Sequence, residues 1–128
     1  MTSQANDARP IALIGFGEAA QAFVAGWGAN VAARCQAYDV KTDHQDEAVR
    51  AAKLADYARC GVRPCATATE ALTGAALVFS LVTADQAAAA AQSAAPSIAA
   101  GALFFDCNSC SPGAKRANAE IIDGAGGR

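Results

Sequence analysis

Five short apolar runs, separated by stretches long enough for a helix, are the feature that most limits what this chain can become. Strands alternating with helices build a parallel sheet covered on both faces, so the pattern predicts a doubly wound α/β fold of about five strands. Ile11 to Ile14 has no polar interruption and suits a central strand. From Glu18 to Ala32, Ala19, Ala20, Phe23, Val24 and Trp27 recur at helical spacing and are expected to face the sheet. Cys35 to Val40 suits a second strand ending near Asp39. Asp43 to Arg59 suits a charged amphipathic helix stopped by Gly61. Val62 to Cys65 is a weak third strand that Pro64 assigns to the sheet edge, and Thr69 to Leu72 makes a single helical turn. Ala76 to Val82 is a fourth strand. Thr83 and Asp85 can cap the helix that follows, which lasts until Pro96. Leu103 to Asp106 is a fifth strand, and Ser111 with Pro112 opens a last helix that runs into the Gly-rich stretch 124–127.

A chain of 128 residues has room for one domain, expected over 10–128 behind a disordered or extended tail at 1–9. Apolar residues make up 53% and charged residues 17%, so a buried core is expected; the 36 alanines favour helix and close packing. A net charge of −2 offers no attraction to nucleic acid or anionic lipid, which leaves a small molecule as the expected partner. The polar stretch Met1 to Pro10 is not read as a secretory signal. The charge-free run from Gln86 to Phe105 contains two glutamines, two serines, a proline and a glycine, and is not read as a membrane span. Five cysteines without an export signal read as reduced thiols of a cytoplasmic protein.

The segment Ile14-Gly15-Phe16-Gly17-Glu18-Ala19-Ala20 is a GxGxxA lying between a predicted strand and a predicted helix. Gly15 permits the tight turn, Gly17 leaves room for a pyrophosphate against the backbone, and Ala20 lets helix and strand pack closely. Phe16, Glu18 and Ala19 complete the loop. Unpaired N–H groups and the helix dipole then face the anion, so no basic side chain is needed. Asp39 follows Gly17 by 22 residues at the end of the next strand, where a carboxylate can accept ribose hydroxyls and repel a 2′-phosphate. Together these features predict a Rossmann-type dinucleotide site. Asp39 favours NAD, while Lys41, beyond Val40, would tolerate the extra phosphate of NADP.

With these segments and with Phe-Phe-Asp-Cys-Asn-Ser-Cys-Ser-Pro after the fifth strand, the chain from Ile11 onward resembles the N-terminal domain of the β-hydroxyacid dehydrogenases, which include 6-phosphogluconate and 3-hydroxyisobutyrate dehydrogenases. The last segment is similar to that family's Asp-x-Ser-(Ser/Thr)-x-(Ser/Asp)-Pro signature. The resemblance implies that Ser109 helps to position substrate and nicotinamide, that Asn108 replaces a usual Ser beside the cofactor, and that Leu81, Val82 and Thr83 pass along it. It also implies hydride transfer on a hydroxy acid, in an enzyme compatible with a homo-oligomer. Family members continue with a helical domain carrying a catalytic Lys that none of Lys41, Lys53 or Lys115 matches, so a cofactor site and half of a reaction site are expected here.

Other constellations carry less. Cys107 and Cys110 form a CxxC at a strand-to-helix junction, which a thioredoxin-like redox site would also use, but the preceding glycine loop fits a dinucleotide fold better. Cys60 and Cys65 lack the usual zinc spacing. His44 reads as a solvated residue of a helix-capping turn, and Lys115 with Arg116 as a solvated helix face. Alternatives to the enzyme domain are a stand-alone dinucleotide-binding or redox-sensing module, and a fold of the same type that holds a nucleotide sugar or methyl donor.

Overall fold

A computed structural model describes residues 9–108 and 111–128. Residues 1–8 of the expected tail lie outside it, as do Ser109 and Cys110. The described residues form β1 (Ile11–Ile14), α1 (Glu18–Trp27), α2 (Ala29–Ala32), β2 (Cys35–Tyr38), α3 (Glu47–Cys60), β3 (Arg63–Pro64), α4 (Ala68–Leu72), β4 (Leu77–Ser80), α5 (Ala87–Ala94), β5 (Leu103–Asp106) and α6 (Pro112–Gly124). The five strands pair in parallel in the order β3-β2-β1-β4-β5. This is a Rossmann-like α/β domain with β1 at its centre and the two-residue β3 at an edge, where Pro64 deprives the ladder of no donor.

Alternation along β1 divides the core in two. Ile11 and Leu13 point to one face and join Val24, Ala37 and Tyr57 beneath α1 and α3. Ala12 and Ile14 point to the other and join Leu72, Val78, Ala91 and Ile122 beneath α4, α5 and α6. Alanine supplies much of both layers, which lets helices and sheet approach closely.

Two helices differ from the sequence expectation. The helix expected over Glu18 to Ala32 is broken at Gly28, whose φ of +92° ends α1 and starts the short α2. Of the residues expected against the sheet, Ala20 and Val24 are buried, Ala19 is exposed and Phe23 is 38% exposed. The helix expected from Asp43 begins only at Glu47, because Val40–Asp43 forms a separate 3-10 turn capped by Asp39 while Asp46 caps α3. His44 lies between them and accepts the Asp46 N–H at Nδ1. The run from Gln86 to Phe105 is divided among two 3-10 turns (Ala84–Gln86 and Ala95–Ser97), α5 and β5, and no helix among the described residues is long and apolar enough to cross a membrane.

The α1 side of β4 and β5 carries an apolar face. Phe23, Trp27, Phe79 and Phe105 form a continuous row with ring centroids 5.8, 5.1 and 4.9 Å apart, and Leu103 and Phe105 are about two-fifths exposed (39% and 41%). Arg128 runs beside β5: its N–H donates to Ala102 and its carbonyl accepts from Phe104, the pattern of a parallel neighbour opposite Leu103.

Candidate dinucleotide site

The turn from β1 to α1 is built on Gly15. Its φ is +96°, and a Cβ there would collide with the carbonyl of Leu81, so a side chain is barred on conformational and steric grounds alike. Gly17 differs: its φ of −87° suits any residue and nothing lies within 4 Å of the position its Cβ would take. Beyond it opens a cleft of about 420 Å³ at the carboxyl ends of β1, β2 and β4, the place where open parallel sheets bind ligands.

Gly15, Gly17, Glu18, Ala19, Asp39, Val40, Lys41, Leu81, Val82 and Thr83 all border this cleft. Phe16 and Ala20 do not; both are fully buried, and the Phe16 ring lies 4.8 Å from that of Tyr57. Gly17 caps α1 with no side-chain hydrogen bond. Among the described residues the N–H groups of Gly17, Glu18 and Ala19 donate to no protein acceptor. They are the orphan donors of a helix start, left beside open space. Glu18 sits in the first turn, where its carboxylate complements the dipole.

Asp39 connects the loops after β1 and β2. Its Oδ2 accepts the Phe16 N–H at 2.7 Å and its Oδ1 accepts the Lys41 N–H at 2.9 Å. Each oxygen keeps a second lone pair for another donor. The Lys41 ammonium has no ion-pair partner among the described residues.

On the β4 and β5 side, Asn108 is 5% exposed and its side chain is turned inward. Its Nδ2 donates to Ser80 Oγ and Asp106 Oδ1, and its Oδ1 accepts the Val82 N–H at 2.8 Å. Asn108 therefore sets the strand-end loop that borders the cleft without lining it. Asp106 is surrounded by donors: burial alone would raise its pKa, yet hydrogen bonds from Asn108 and Asn118 and the Lys115 charge hold the carboxyl below its usual range. Lys115, expected on a solvated helix face, keeps two-fifths of its side chain exposed (40%) but also donates to the Asp106 carbonyl at 2.9 Å and lies 3.6 Å from its carboxylate. Burial pushes the Cys107 thiol up, against the lowering influence of Lys115, opposite to the activation a redox nucleophile needs.

Sequence reasoning missed Tyr38 and Gln86, which also border the cleft, and the buried Lys53 behind the glycine loop. The i, i+4 spacing of Lys53 and Tyr57 was the available signal, since it places both on one face of α3.

A family model described as NADP oxidoreductase, coenzyme F420-dependent, matches residues 10–109. A conserved hypothetical protein from Sinorhizobium meliloti 1021 is 40% identical with a TM-score of 0.83, over 92% of this chain and 38% of that one. Mycobacterium tuberculosis 3-hydroxyisobutyrate dehydrogenase, solved with L-serine, is 18% identical with a TM-score of 0.71, over 93% and 38%. A reductive aminase from Aspergillus terreus, in complex with NADPH and ethyl-5-oxohexanoate, is 20% identical with a TM-score of 0.69, over 94% and 38%. The chain thus spans 38% of the length of each of these solved chains. A search of the curated proteins gives no match.

Proposed function

We propose a nicotinamide-dependent role in hydroxy-acid oxidoreduction for this chain, which belongs to the family described as NADP oxidoreductase, coenzyme F420-dependent, and is an NAD(P)-binding Rossmann domain. The observation that carries the assignment of the site is the set of three N–H groups at Gly17, Glu18 and Ala19, unpartnered among the described residues, opening on a cleft that Asp39 also borders. The donors suit a diphosphate. Asp39 suits the adenosine ribose, with Val40 and Lys41 beside it. Ile14, Leu81, Val82 and Thr83 then form the wall along which the rest of the dinucleotide extends.

NAD is the preferred cofactor in this proposal. A 2′-phosphate would meet the Asp39 carboxylate, and the Lys41 ammonium is the group placed to offset that repulsion in part. When bound, the nicotinamide supplies the hydride acceptor at its C4. This chain's residues hold the cofactor and exclude water from one side of it, while Ser109, next to the anchored Asn108, orients the hydroxy acid. The acid/base lysine of the reaction is none of the three here: Lys53 is buried against Phe16, Lys115 is engaged by Asp106, and Lys41 stands at the adenosine end.

Calorimetric titration with NADH, NADPH and S-adenosylmethionine tests the reading. Saturable binding of NADH, weaker binding of NADPH and none of S-adenosylmethionine is expected; silence from both dinucleotides would overturn the assignment of the site.

A further inference from the structure

Lys53 is the one charged residue among the described residues that is buried, and neither the glycine-loop motif nor the cleft lining accounts for it. It stands on α3, 37 residues beyond the loop, and its Nζ donates to the Phe16 carbonyl at 2.5 Å. The same carbonyl accepts Gln21 Nε2 at 3.2 Å. Gln21 Oε1 accepts Arg59 at 2.7 Å, Arg59 donates to Asp56 Oδ1 at 3.0 Å, and Asp56 Oδ2 returns to Lys53 at 3.4 Å. The five groups close a ring of hydrogen bonds and ion pairs that joins the loop, α1 and α3. Burying an ammonium is costly without such satisfaction, and the ring gives the charge two oxygen partners besides the Phe16 ring face 5.9 Å away.

The Phe16 carbonyl and the Gly17 N–H belong to one planar peptide unit and point in opposite directions. Whatever fixes the carbonyl fixes the N–H, and a cation at the oxygen polarises the unit and strengthens its donor. Gly17 N–H has no acceptor among the described residues, and Gly17 borders the cleft. We infer that Lys53 is a positioning residue for anion binding: through the Phe16–Gly17 peptide it aims and strengthens the Gly17 N–H toward the diphosphate of a bound dinucleotide. Asp39 does the complementary work on the preceding peptide by holding the Phe16 N–H. The inference rests on the proposed dinucleotide site.

Two ligands separate it from that reading: ADP-ribose, which carries the diphosphate, and adenosine, which does not. With wild-type protein labelled with 15N, ADP-ribose is expected to shift the Gly17 amide resonance strongly and adenosine to leave it in place. Lys53→Met is expected to weaken ADP-ribose about tenfold, the scale of a charge-assisted hydrogen bond, with adenosine unchanged and Lys53→Arg restoring most of the loss. A parallel loss for both ligands would make Lys53 a support of the fold alone and overturn the inference. A Gly17 amide indifferent to bound ADP-ribose would do the same without any variant, so the test survives if Lys53→Met fails to fold. Failure of wild type to bind ADP-ribose at all would instead count against the dinucleotide site itself.

Discussion

Asp39 Oδ2 accepts the main-chain N–H of Phe16 at 2.7 Å across 23 residues of sequence. The carboxylate proposed to read the ribose is therefore also a structural member of the glycine loop. Substituting it acts on specificity and on loop geometry together, and the two effects need separating.

Asp39→Asn keeps an oxygen for the Phe16 N–H and removes the charge. The ratio of NADPH to NADH affinity is expected to rise roughly tenfold, the order of one charge–charge contact near a protein surface. Asp39→Ala should add a loss for both cofactors by releasing the loop. An unchanged ratio in both variants, measured by calorimetry, would remove Asp39 from the discrimination.

The two loop glycines should fail differently. A Cβ at Gly17 meets no protein atom within 4 Å and the φ is an ordinary one, so for Gly17→Val the melting temperature should stay near wild type while NADH binding falls by more than about tenfold, the branched side chain filling the diphosphate position. Gly15→Ala sets a Cβ against the Leu81 carbonyl at φ +96° and should cost about 2 kcal/mol or more of folding stability. Thermal melts beside binding isotherms check the pair.

Asn108→Ala would leave the Val82 N–H and the Ser80 hydroxyl without their buried partner. A loss of about 2 kcal/mol in urea denaturation is expected. Stability equal to wild type would mean that the strand-end loop does not depend on this side chain.

Acid sensitivity should trace to Asp106. Its folded-state pKa is depressed, the Asn108, Asn118 and Lys115 contacts outweighing the opposing effect of burial. Such a group contributes stability above its unfolded-state pKa of about 4 and loses it as pH falls through the lower folded value. Stability should decline below about pH 4, and Asp106→Asn should flatten that slope while lowering stability at neutral pH. Denaturation midpoints across the acid range provide the measurement.

The strands, the order of elements and the turn at Gly15 were legible because each is specified locally: by apolar runs of strand length, by caps such as Ser111 and Gly61, and by a glycine where the chain must turn left-handed. The break at Gly28 was not, because Ala29 to Ala32 keep helical propensity and hide the change of direction. At the cleft, the residues following β1, β2 and β4 were legible from their place at strand ends. The inward turn of Asn108 was not, since a strand-end side chain can serve either the ligand or the scaffold, and hydrogen-bond competition from Ser80 and Asp106 decides which. Nor was Lys53, whose role depends on how α3 comes to rest against a loop far away in sequence.

Trp27 is the only tryptophan in the chain and sits within the aromatic row over β4 and β5, away from the residues that border the cleft. Its emission maximum consequently serves as a built-in optical gauge of hydration on that flank. A blue shift would announce that something has settled over Phe79 and Phe105, a signal distinct from cofactor loading followed by heat.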